Sequence, residues 1–296
     1  MNVAATADRR DLALRSMPAV FVLIWSTGFI VARYGMPHAP PLGFLAIRFA
    51  LSVLAFGLWI VWSRVAWPQG RAQWLHLATT GVLLHAGYLG GVWAAVKGGL
   101  GAGTVALVVG LQPVLTALWV SATGQEHRIA PRQWAGLALG LAGLVLVVWH
   151  KLGIGEVSTA NLVLALGALL CITAGTLYQK RFVQPCDVRS ASAVQLMAAC
   201  AVTAPLALLE PGTIDWHPHV IGALAWSVLA LTLGASSLLY LLIQRGAATQ
   251  VTSLMYLVPP CTALLAWLLF DEHLGGTVIA GMLLTAAGVG LVVRQR

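Results

Sequence analysis

The chain has 296 residues, of which 59% are hydrophobic and only 9% charged, with a mean hydropathy of +0.86. A soluble domain carries about 25% charged residues, so this composition excludes one and points to a protein whose solvent is the lipid bilayer. The formal net charge of +8 and the isoelectric point near 9.9 raise nucleic-acid binding, but the cations are scattered and no basic cluster with interleaved aromatics is present, which excludes that class.

A membrane helix needs roughly 20 mostly apolar residues to cross the hydrocarbon, where every backbone polar group must be satisfied internally. Ten runs meet this need, at about 17–32, 42–62, 74–96, 102–122, 133–149, 161–178, 191–209, 220–243, 249–270 and 275–293. The first follows Arg9, Arg10 and Arg15 like a signal peptide. It lacks a small-x-small cleavage site and nine spans follow it, so it reads as an uncleaved helix behind a cytosolic tail, residues 1–16. Within it, Trp25 and Phe29 make an aromatic stripe.

The second run enters at Pro41 and holds Arg48, the one formally charged residue well inside a span. A charge there costs at least ~2.5 kcal/mol and normally faces protein or a wet cavity. Arg48 is about two turns from the helix end, so it reads either as a structural cation that snorkels or binds loop carbonyls or as a substrate contact. In the third run His85 and Tyr88 are three residues apart, and in the fourth Gln112 and Thr116 are four apart. Each pair lies on one helical face. Pro113 removes a helix hydrogen bond near the carbonyl of Val109, and Glu126 sits at the end of that span. Gly136, Gly140 and Gly143 in the fifth run let backbones approach closely.

After a linker at 151–160 the pattern resumes. The eighth run carries Thr232, Ser236, Tyr240 and Gln244 on one face, and the ninth Thr249, Ser253 and Tyr256 ahead of Pro259 and Pro260. Gly281, Gly288 and Gly290 mark the tenth. Cys171, Cys186, Cys200 and Cys261 have neither disulfide nor metal-ligand spacing. No metal and no cofactor are expected.

Thirteen cations fall on one set of loops and termini and only Arg33, Lys97 and Lys151 on the other. By the positive-inside rule both termini are cytosolic. The chain also repeats itself. "WSTGFIVARY" (Trp25 to Tyr34) lies over "ITAGTLYQKR" (Ile172 to Arg181) at an offset of 147, and the same offset puts Arg48 opposite Gln195. "QPVLTALWVSATGQEH" lies over "VPPCTALLAWLLFDEH" at 146, and Glu126 over Glu272. Five helices per copy is an odd number, so the copies enter the membrane from opposite sides, as inverted repeats do in many secondary transporters. The expected fold is all-α, an integral membrane protein of ten helices in two inverted five-helix repeats, 17–150 and 161–296.

Five plus five helices, "WSTGF" in the first span, Pro41 with Arg48, and in each half a proline followed 12 or 13 residues later by Glu and a glycine-rich helix resemble the drug/metabolite transporter superfamily, EamA-type branch. The resemblance implies a carrier of small metabolites, often of amino acids outward as in the YddG-like exporters, in a bacterial inner membrane. The residues add their own exclusions. No span interior holds Asp or Glu, against a small-multidrug-type cation exporter, and there is no phosphate loop for ATP-driven pumping. No H-E-x-x-H, G-x-S-x-G or paired membrane aspartates support an intramembrane enzyme, and no selectivity segment supports a channel. The expectation is a secondary carrier for a small neutral or zwitterionic metabolite, monomeric or homodimeric, with amino-acid export the favoured version and a multidrug or other metabolite carrier the alternative. The expected site comprises Trp25, His85, Tyr88, Gln112, Tyr240 and Tyr256, with Pro113, Pro259 and Pro260 shaping or gating it.

Overall fold

The computed structural model describes residues 3–122, 131–153, 155–235, 238, 257–272 and 274–293. Their regular structure is helical. The first half contains α1 (Val3–Gly35), α2 (Pro41–Ser63), α3 (Arg71–Gly81) running through a π-helical segment (Val82–Gly87) into α4 (Tyr88–Lys97), then α5 (Ala102–Val109), α6 (Gln112–Ala122) and α7 (Pro131–Gly153). The second contains α8 (Thr159–Phe182), α9 (Val188–Leu209), α10 (Pro218–Trp226) continuing as a π-helical segment (Ser227–Ala235), α11 (Val258–Phe270) and α12 (Gly276–Val293). A helix lies on each of the ten expected spans. Tyr240, Tyr256, Ser236, Gln244, Thr249, Ser253 and Glu126 lie outside the described residues.

Helix α1 begins at Val3, so the segment read as a cytosolic tail, residues 1–16, is helical from that point. Its 33 residues measure about 50 Å at 1.5 Å per residue, well beyond the ~30 Å of hydrocarbon. Hydropathy marks where the slab ends. Ala, Leu and Arg are good helix formers, so the helix carries on past that point.

Local chemistry fixes the other ends. Pro41 and Pro218 occupy first-turn positions, where a missing N–H costs nothing. Ser158 and Asn161 form a reciprocal capping box at the start of α8. Asp187 caps α9, and its bonds from Arg189 Nε and Nη2, at 3.0 and 2.8 Å, hold its carboxyl below the usual carboxylate range.

Five helical stretches are long and apolar enough to cross a membrane: Pro41–Ser63, Trp134–Leu152, Thr159–Phe182, Val188–Leu209 and Pro218–Ala235. Exposed leucines such as Leu58, Leu170 and Leu283 cover the sides, and exposed tryptophans gather at span ends. Trp62, Trp67, Trp74, Trp119 and Trp134 lie toward the face that carries the termini, and Trp149, Trp216 and Trp267 toward the opposite one. This is the aromatic belt of an integral membrane protein.

Packing follows the repeat. If the halves are exchanged, the second, fifth and fourth spans should each pack on their own counterparts. They do, as α2 on α9, α7 on α12 and α5 on α11. Contacts between unlike spans should occur in image pairs. Packing of α3 on α8 has its image in α1 against α10, and the first π segment on α9 has its image in α2 against the second π segment. The glycines of the fifth and tenth spans face each other inside the chain: a Cβ on Gly143 would strike the backbone of Gly281, and one on Gly288 that of Gly140. Gly290 has open space around it.

Candidate functional site

Arg48 stands two turns into α2 and is only 6% exposed. Among the described residues no loop carbonyl accepts from it. Its Nη2 donates to Thr232 Oγ1 at 3.4 Å, and its Cζ lies 5.9 Å from the centre of the Trp93 ring. Phe44, stacked on Trp93 at 4.5 Å, steadies that ring. Tyr88 and His85 lie within electrostatic reach of the guanidinium, the Gln195 amide faces His85, and Phe49 meets the same imidazole edge-on at 6.1 Å.

These contacts are images of one another. Arg48 and Gln195 are 147 residues apart, and so are His85 and Thr232. Thus Arg48 on α2 meets Thr232 in the second π segment, while Gln195 on α9 meets His85 in the first. The π segments make the exchange possible, since widening a helix by one residue turns side chains to a new azimuth and releases carbonyls from the i−4 pattern. Thr232 Oγ1 takes up one such carbonyl, Ser227 O, at 2.8 Å.

The cluster is incompletely satisfied. Arg48 Nε, Ser52 Oγ one turn along α2 and Ser227 Oγ are buried without hydrogen-bond partners. Buried polar atoms are nearly always paired, and a buried charge is normally matched by an opposite one. No Asp or Glu occurs in any span interior to supply the match. The arrangement is therefore a buried set of neutral hydrogen-bonding groups around one fixed positive charge, a charge that a carboxylate would match.

Of the expected contacts, His85 and Tyr88 join this cluster. Trp25 and Gln112 take other partners: Trp25 packs on Phe21 at 5.5 Å, and Gln112 Nε2 donates to Thr176 Oγ1 at 3.0 Å. Thr232, Gln195 and Trp93 complete the cluster and were not among the expected contacts; the 147-residue offset was the signal that could have found the first two.

The prolines lie in the first turns of helices. Helix α5 ends at Val109 and α6 starts at Gln112; between them Leu111 N donates to Val108 O and Val114 N to Leu111 O. Pro259 and Pro260 open α11. A Cβ on Gly110 would fall 2.8 Å from the Pro259 ring, so the interruption of the fourth span meets the first turn of α11.

At the face opposite the termini, carboxylates bind helix starts. Glu210 Oε2 accepts from the N–H groups of Leu42 and Gly43, Glu272 Oε1 from Ala102 N, and Glu156 Oε1 from Gly101 N. Each meets the positive end of a helix. A shallow, open crevice lies there beside Thr104, Lys151 and Glu272. Lys151 is already paired with Glu156 at 2.5 Å and Glu272 is held by α5, so this crevice offers a ligand no free charge.

A family model, the EamA-like transporter family, matches residues 17–149 and again 159–294. An uncharacterized transporter of Archaeoglobus fulgidus is 26% identical over 290 residues, spanning 94% of this chain and 96% of its own. A probable amino-acid metabolite efflux pump of Salmonella typhimurium is 26% identical over 279 residues, 90% of either chain. The uncharacterized inner membrane transporter YedA of Escherichia coli is 27% identical, covering 92% of this chain and 86% of that one. One crystal structure of a protein superposes over 93% of this chain and 95% of its own with a TM-score of 0.66 at 19% identity, a likeness of fold.

Proposed function

The chain belongs to the EamA-like transporter family, and from that premise we propose that it is a secondary carrier exporting small zwitterionic metabolites, amino acids above all, by alternating access. The substrate's carboxylate docks on Arg48 between the two halves. The observation that carries this reading is the buried Arg48 guanidinium, with its orphaned Nε, one long bond to Thr232 and no acidic partner in any span. A transported carboxylate supplies the missing negative charge and makes a charge-assisted, bidentate-capable bond. The same fixed charge disfavours a lipophilic cation.

Tyr88, His85 and Gln195 then act on the uncharged parts of the substrate, and the Trp93 face limits its size. Trp25 and Gln112 line the route to and from this point, and Tyr240 and Tyr256 are kept as substrate contacts on the sequence pattern alone. The interruptions at Pro113 and at Pro259 and Pro260 are the places where the walls bend as access switches. The chain resides in a bacterial inner membrane with both termini cytoplasmic, as a monomer or homodimer, and is a carrier rather than an enzyme or channel.

The test is thermal unfolding of the full chain in detergent with each neutral amino acid and its decarboxylated amine. A substrate stabilises the state it binds. The reading predicts that at least one amino acid raises the Tm and its amine does not. Equal stabilisation by the amine, or no shift with any amino acid, would sink the carboxylate role.

A further inference from the structure

Three histidines from both repeats converge at the face opposite the termini. His38 lies in the turn between α1 and α2, while His217 and His219 sit at the start of α10. One ring nitrogen from each comes within 4.8 Å of the others. The rings of His38 and His217 are stacked at 4.2 Å, His217 and His219 meet at 4.5 Å, and Tyr34 borders His219 at 5.5 Å. We propose that these three imidazoles form a binding site for a borderline transition-metal dication of the zinc, nickel and copper class.

The chemistry of the donors selects the ion. Imidazole suits zinc, copper and nickel, whereas magnesium and calcium demand oxygen. His38 is prepared for this role: its Nδ1 lies 3.2 Å from Asp215 Oδ2, and the backbone N–H of Asp215 donates to His38 O at 2.8 Å. A carboxylate on one ring nitrogen fixes the tautomer and leaves the Nε2 lone pair for a metal.

Zinc–nitrogen bonds of about 2.0–2.1 Å in a tetrahedron put the nitrogens roughly 3.4 Å apart. The separations of up to 4.8 Å therefore contract by about 1.4 Å on binding, within the reach of side-chain rotation at three partly or fully exposed rings. His217 Nδ1 now accepts the His219 N–H at 3.2 Å and caps α10. A neutral imidazole has one lone pair, so coordination through either nitrogen of His217 gives up that bond. The ion thus competes with the helix cap. Once bound, it ties the turn at His38 in the first repeat to the start of α10 in the second.

The experiment uses full-length protein purified without a polyhistidine tag, stripped with chelator and titrated with Zn²⁺ alone by calorimetry. Tetrahedral Co²⁺ absorption serves as a second readout. One Zn²⁺ per chain is expected. The double variant His217→Gln/His219→Gln should abolish that site, and Asp215→Asn should weaken it about 10- to 100-fold. The single variant His219→Gln, at an exposed ring, guards against a folding defect in the double variant, and should itself weaken binding at least tenfold. No Zn²⁺ binding by the parent chain, or parental binding in folded His219→Gln and Asp215→Asn, would overturn the proposal.

Discussion

Arg48 separates a structural role from a transport role more cleanly than any other side chain here. If it only held helices together, removing it would take away the bond that α2 makes to Thr232 and lower stability. If it holds a substrate carboxylate, its charge is a liability in the empty protein. Replacing buried ions by apolar groups of similar volume is often neutral or stabilising by about 1–4 kcal/mol. Arg48→Met should therefore keep or raise the Tm while lowering amino-acid transport by at least tenfold. Loss of Tm and transport together would assign Arg48 to structure. His85→Ala should likewise reduce transport with monodispersity intact, since the half-buried ring meets Gln195 and Phe49; parental kinetics in that variant would remove His85 from the site. At this scale the sequence is informative about charge and poor about partners. Arg48 stands out because nothing else charged lies deep in a span. Thr232 hides among ordinary polar residues of an apolar helix, and His38 is remote in sequence from His217, so only folding brings those pairs together.

At the scale of elements, the breaks and the close packing make opposite demands. Residues 110–111, where α5 gives way to α6, need freedom to bend, and α7 against α12 needs none. Pro113→Ala and Pro259→Ala restore backbone donors and straighten the moving walls, so both should slow transport more than they reduce folded yield. Unchanged transport in both would make the prolines packing features. Gly143→Val, in contrast, drives a side chain into the backbone of Gly281 and the Thr285 hydroxyl. Overpacking of this kind costs about 1–3 kcal/mol. Folded yield should fall, while Gly290→Ala, with open space around it, should express like the parent; equal yields would show that the two helices can separate freely. Prolines and glycine spacings are legible in sequence because each acts through its own backbone. The π segments are not, since the extra residue per turn is set by the helices packed on either side.

For the molecule as a whole, the repeat is the feature from which most else follows. Its 146–148 residue offset is readable, and an odd number of spans per copy turns the offset into inversion. The symmetric contacts around α2–α9 and α7–α12 are what that relation requires. Orientation rests on the thirteen-to-three distribution of cations. Lys151, at 4% exposure, would make a poor labelling site, so the exposed Thr213 in the loop between α9 and α10 is the better choice. With the natural cysteines replaced, Thr213→Cys should react with an impermeant maleimide added to intact cells, and a terminal tag should stay protected. A protected Thr213→Cys beside an accessible terminus would reverse the topology. The central claim is carrier-mediated exchange of a zwitterion, and counterflow tests it most directly. Liposomes holding the full-length protein are loaded with an unlabelled neutral amino acid and diluted into a trace of the labelled form. An alternating-access carrier gives a transient, saturable accumulation of label that grows with internal loading and is lost in Arg48→Met. Flux that stays linear in concentration and indifferent to internal loading, or no flux with any amino acid, would contradict it.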